Sequence, residues 1–163
     1  MADKAEKQEM TDEDEQFLRD RPRILVTHER INQALSGEID KLEEGFARVI
    51  LDTIEEMKAD DLGLIHSGFI FSAADFAAMA AVNDKNVVLA SAYTQFLAPV
   101  KLGDSVVFEA RVRQKEGRKR NVIVKGHVLD IKVFEAEFST VVLENHILRL
   151  QLLENAEEAA AED

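Results

Sequence analysis

The spacing of apolar positions changes character along the chain, and each change predicts an element. Phe46 to Ile54 (FARVILDTI) is rich in β-branched residues and predicts a strand. From about Ser67 to Val82 (SGFIFSAADFAAMAAV) the chain is apolar nearly all round and rich in alanine. That predicts a buried helix, ended by Asn83-Asp84. Beyond it the period falls to two. Asn86–Leu97 is the first such run; Ser105–Lys115 sets Val106, Phe108, Ala110 and Val112 against Val107, Glu109, Arg111 and Arg113; Asn121–Leu129 follows, and then Phe134 to Val142. The reversals are APVKLGD (98–104), EGRK (116–119) and Asp130-Ile131-Lys132. Links this short predict four antiparallel neighbours.

Ahead of this block, Thr11 with Asp14 predicts a capped acidic helix stopping at Arg21-Pro22. Thr27 predicts a second helix through Leu35, stopped by Ser36-Gly37. The expected organisation is an acidic, flexible segment over 1–20, a helical arm over 21–44, one domain over 45–146 and a C-terminal helix or acidic tail over 147–163. A strand, one long buried helix and four further strands make an α+β architecture, an antiparallel sheet wrapped around the helix.

Composition narrows the function classes. The chain has 163 residues, enough to bury a core, and no cysteine, which excludes disulfides and thiol chemistry. Its net charge of −12 is concentrated at the ends: residues 1–15 hold seven acids and two lysines, and residues 154–163 hold five acids and no base. Such ends are characteristically solvated, and they oppose nucleic-acid binding. The most apolar run, Phe69–Val82, is too short to span a bilayer. No signal-peptide core stands at the start, so the expectation is a cytoplasmic protein with no membrane or nucleic-acid partner. His28, His127 and His146 show no ligand spacing with one another, and no metal site is expected.

The chemistry concentrates in LIHSGFIFSAADF (64–76). With a helix starting near Ser67, positions 68, 71, 72, 75, 79 and 82 share a face, which sets Asp75 between Phe71 and Met79 with Ser72 one turn earlier. Apolar neighbours would raise its pKa, as suits a general base; an arginine partner would instead make it a structural ion pair. The first helical amides, at Ser67 and Gly68, lack internal acceptors and can polarise a carbonyl. His66 stands beside them, either as a proton-transfer group or bonded to backbone. The GRKR cluster (117–120), including Arg118, reads as a solvated hairpin tip or, with Arg111 and Arg113, as a landing patch for phosphates.

His66-Ser67-Gly68 followed by Asp75, nine positions after the histidine, resembles the hotdog-fold acyl-CoA thioesterases of the phenylacetyl-CoA thioesterase type. QFLAPVKLGDSVVFEARV (95–112) is similar to that family's strand-turn-strand, and the likeness covers about residues 45–145. The resemblance implies a hotdog fold, Asp75 as the carboxylate that activates water or attacks the thioester, and the Ser67 amide as the carbonyl polariser. It also implies dimers or tetramers with each site between two subunits, and coenzyme A as part of the substrate rather than a cofactor. Ser67 stands where the family has its first glycine, and Asp60 where many members carry an asparagine that orients water or substrate. AVND (81–84) and FLAPVKLGD (96–104) also resemble the ligand domain of malonyl-CoA-sensing repressors of lipid synthesis, which bind acyl-CoA without hydrolysing it. Two expectations follow: a thioesterase led by Asp75, with Asp60, Phe71, Ser72, Met79 and the three arginines around the substrate, or a non-catalytic acyl-CoA binding protein. A dehydratase of the same fold is a weaker third.

Overall fold

In a computed structural model of the chain, residues 11–13, 16 and 23–161 are described, residues 151–153 by backbone alone. The elements run α1 (Gln33–Ser36), β1 (Glu38–Glu43), β2 (Phe46–Asp52), α2 (Ser67–Val82), β3 (Val87–Phe96), β4 (Ser105–Glu116), β5 (Lys119–Val128), β6 (Ile131–Val142) and α3 (Ile147–Ala161). The six strands form one antiparallel sheet in the order β1-β2-β4-β5-β6-β3, and α2 touches all six.

The central helix α2 covers the predicted span. His66 precedes it in extended conformation, and Asn83 ends it in the left-handed region, donating its N–H to Met79 O at 2.8 Å. Its alanines let the sheet approach the helix closely: Ala73, Ala74, Ala77, Ala78 and Ala80 are all fully enclosed. The inward positions of the strands, among them Val106, Phe108, Val124, Phe134 and Phe138, close over them. Burial of each such phenylalanine contributes about 1.5–3 kcal/mol.

Three sequence expectations are corrected. The helix expected from Thr27 is a single turn from Gln33, capped by Asn32, whose Oδ1 accepts from Ala34 N at 3.0 Å; Thr27 Oγ1 instead meets His28 Nδ1 at 2.7 Å. The arm expected over 21–44 ends early, because Glu38–Glu43 form β1 and pair with β2. β3 is not a neighbour of β4. It crosses to the far edge and pairs with β6, because residues 97–104 are held across the helix head: Ile65 N donates to Val100 O at 2.8 Å, and Leu97 N to Val133 O at 2.8 Å. Asp14, the second residue of the expected Thr11–Asp14 cap, and the acidic residues 1–10 lie outside the described residues. Among the described residues no helix is long and apolar enough to cross a membrane.

The arm from residue 23 lies along the helix through Leu25, Ile31 and Leu35, which pack against the core. Asn83 clamps it, accepting from Val26 N at 2.9 Å and donating to Ile24 O at 3.0 Å. Ser36 Oγ and Ser72 Oγ lie 2.8 Å apart, joining α1 to the middle of α2.

Candidate functional site

Asp75 stands in the third turn of α2. It is partly buried, and its Oδ1 is enclosed without any hydrogen-bond partner. Among the described residues no arginine pairs with it, which disfavours the ion-pair alternative. Burial raises its pKa to about 6. Around it the expected face divides. Met79 is fully enclosed in the core, Phe71 packs against Phe138 with ring centroids 5.7 Å apart, and the Ser72 hydroxyl is engaged with Ser36.

The helix head is two turns away. No side chain caps it, and among the described residues the amides of Ser67 and Gly68 find no acceptor. The first donation is from Phe69 N to His66 O at 3.1 Å. The His66 ring lies edge-on to Phe69, centroids 6.1 Å apart, and close over Gly68. Both His66 and Ser67 line an open cavity of about 400 Å³, whose other lining side chains are apolar. Ile65, Ile70, Val100 and Val133 are its buried members, and Leu64, Phe96 and Leu97 its half-exposed ones. The sequence did not reveal this wall, because it comes from four separate segments. The stretches 64–76 and 95–112 pointed to two of them, but nothing in the sequence joined these to Ala59 or Val133.

Asp75 is not part of that cavity. Eight residues of helix separate it from Ser67, a rise of about 12 Å. Within one chain, then, the two do not converge on one carbonyl.

The other predicted residues scatter. Asp60 Oδ1 accepts from Leu62 N at 3.0 Å and Leu64 N at 3.1 Å, which makes it the lock of the 59–64 turn. Arg111 and Arg113 share a groove with Glu109, Lys125 and His127 on the sheet face turned away from α2. Arg111 stacks over the Phe46 ring at 4.4 Å. Arg118 sits instead at the β4–β5 tip, paired with Glu144 at 2.8 Å. The three arginines therefore do not form one patch.

Residues 62–132 match the family model of the Thioesterase superfamily. A methylthioribose-1-phosphate isomerase of Aquifex aeolicus is 56% identical over 119 residues, 73% of this chain and 26% of that protein. Transcription factor FapR of a Thermoanaerobacter species is 30% identical over 114 residues, 69% of this chain and 57% of that one. The chain thus spans about a quarter of the first relative's length and little more than half of the second's. The crystal structure of protein PH1136 from Pyrococcus horikoshii superposes with a TM-score of 0.77 at 43% identity, covering 78% of this chain and 98% of that one. A hypothetical thioesterase from Streptococcus pneumoniae, solved with coenzyme A, shares the fold at 18% identity (TM-score 0.61, 67% and 87% covered). The helix-in-sheet topology, the matched segment and the close structural likeness lead to one assignment: the chain belongs to the thioesterase superfamily and carries its hotdog fold.

Proposed function

We propose that the protein binds an acyl-CoA and hydrolyses its thioester, with Asp75 as the group that activates water. The observation that carries this reading is the carboxylate itself: its Oδ1 is enclosed and without a hydrogen-bond partner, and burial raises its pKa to about 6. Packing gives no reason for such a group, and proton transfer near neutral pH does. The thioester carbonyl is held by the amides of Ser67 and Gly68. Asp75 takes a proton from water as the oxygen attacks the carbonyl carbon, the C–S bond breaks, and the CoA thiolate leaves and is protonated. The match to the Thioesterase superfamily and the CoA-bound structure of the same fold support the substrate class.

The 12 Å rise between the two halves of this machinery calls for a second copy of the chain. The β3 edge suits one. It is ten residues long, carries no charge and leaves Tyr93 70% exposed. An open, uncharged edge of that length is a template for strand pairing. Self-association there would bring Asp75 of one copy toward the helix head of the other.

The test is thiol release from a panel of acyl-CoAs by the native chain and by Asp75→Asn, with solution mass measured in parallel. Turnover abolished by the substitution, in an oligomer, is the expected result. An unaffected variant, or a strictly monomeric active protein, refutes the mechanism. The 30% identity to a transcription factor favours a second reading, an acyl-CoA binder without turnover. Tight binding with no thiol release from any substrate would select it.

A further inference from the structure

The C-terminal helix α3 and the outer face of the sheet both lack a partner, and their patterns match. Neither feature depends on the acyl-CoA reading above.

α3 leaves the domain. Among the described residues no strand or other helix packs along it, and Ile147 and Leu148 stay 41% and 59% exposed. At about 100° per residue, Ile147, Leu148 and Leu150 point to three sides of the helix. A helix that is apolar on several sides is one that becomes enclosed. From Glu154 the character reverses: residues 154–163 hold five acids and no base, and Glu154, Glu157 and Glu158 are exposed. The helix therefore runs from an apolar start to an acidic end.

The sheet face turned away from α2 has the complementary polarity along β4. At one end the half-buried Val107 lies between Ile50 of β2 and His127 of β5. Toward the other end Arg111 and Arg113 line a furrow with Lys125. The acid in that furrow, Glu109, is held by Arg48 at 3.4 Å. Arg111, Arg113 and Lys125 form no ion pair among the described residues. Unpaired guanidinium groups are strong carboxylate acceptors. The lengths agree too: Val107 to Arg113 spans about 20 Å of strand, and the 15 residues of α3 span about 22 Å.

We infer that α3 of a second copy of the chain lies on this face, parallel to β4. Its leucine-rich start covers Val107 and Ile50, and its carboxylates meet Arg111 and Arg113. The chain's own helix does not make this match. β6 runs in the same direction as β4, since each is antiparallel to β5, and Val141 stands beside Lys119 at the Arg113 end. Folded back from there, α3 would set its leucines on the arginines and its carboxylates on Val107. The exchange is reciprocal, each copy giving a helix and a furrow. It lies in the middle of the sheet, away from the β3 edge.

The chain has no cysteine, so two introduced thiols report the contact directly. Gln114→Cys, exposed at the arginine end, is mixed with Ala160→Cys on α3, both in the full-length chain, and oxidised. The expected result is a mixed disulfide between the two chains at least tenfold faster than with Asp130→Cys, an exposed control at the opposite end of the sheet. Arg111→Glu/Arg113→Glu on the Gln114→Cys chain is expected to abolish that advantage. Adding Glu154→Lys/Glu157→Lys/Glu158→Lys on the Ala160→Cys chain should restore it. A rate no greater than the control's, or a charge exchange that fails to restore it, overturns the inference. So does a dilution-independent disulfide within the double variant Gln114→Cys/Ala160→Cys, which would put the chain's own helix on the face.

Discussion

The His66 imidazole lies so close over Gly68 that a β-carbon built at 68 would stand 3.0 Å from its Nε2. The ring is exposed and free to swing, so Gly68→Ala is expected to leave thermal stability within about 0.5 kcal/mol of native. The displaced ring would instead crowd the amides. Acyl-CoA affinity is expected to fall about tenfold and to recover in His66→Ala/Gly68→Ala, a comparison a binding titration makes directly. Unchanged affinity in the single variant would show that the ring has no bearing on the site.

Asp75 destabilises the fold at neutral pH. Its folded pKa of about 6 lies above the value of an unfolded aspartate near 4, so the native state holds the proton more tightly. The penalty is absent below about pH 4, grows as pH rises to about 6 and is complete above that. Asp75→Asn is expected to raise stability at pH 7 by on the order of 2–3 kcal/mol, with the gain shrinking toward pH 4. Urea melts at several pH values measure it, and a variant no more stable than native at pH 7 contradicts the assignment.

The same ionisation sets the acid limb of turnover. A water-activating carboxylate works only when ionised, so kcat/KM is expected to fall about tenfold per unit as pH drops below about 6. Below that point the native profile should have unit slope. A limb displaced to the ordinary carboxylate range would point to a different base.

Gly126 on β5 admits no side chain. A β-carbon there would sit 2.8 Å from the Phe108 ring and 3.1 Å from Phe134 Cβ, both in the core. Gly126→Ala is expected to cost about 1–3 kcal/mol by overpacking, read as a lowered denaturation midpoint with unchanged m-value.

Legibility in the sequence followed how local each signal was. The central helix was legible to the residue because alanine content, all-round apolarity and the Asn83 stop agree within one segment. β1 was not. Its burial recurs at Ile39 and Leu42, three apart, because an irregularity between Ile39 and Lys41 breaks the alternation that marks a strand. The β3 partner was misjudged because a seven-residue link looks like a hairpin, and only contacts with residues 63, 65 and 133 show that it crosses the helix head instead. In the site, Asp75 stood out because an acid in an apolar helix contradicts its surroundings. The cavity wall did not stand out, since isoleucine, valine and leucine are ordinary core residues until the fold gathers them.

The crossing of residues 97–104 has a consequence for how the chain reaches its native state. β4, β5 and β6 form by successive local hairpins, but β3 must wait for β6, whose Phe134 pairs with Phe96 and whose Val142 pairs with Val87. That closure, from Phe96 to Phe134, is long-range, though shorter than the one that joins Asp52 of β2 to Ser105 of β4. With β3 the last strand to dock and the first to leave, its pairing forms after the folding barrier, and substitutions that weaken the β3–β6 register are expected to act mainly on unfolding.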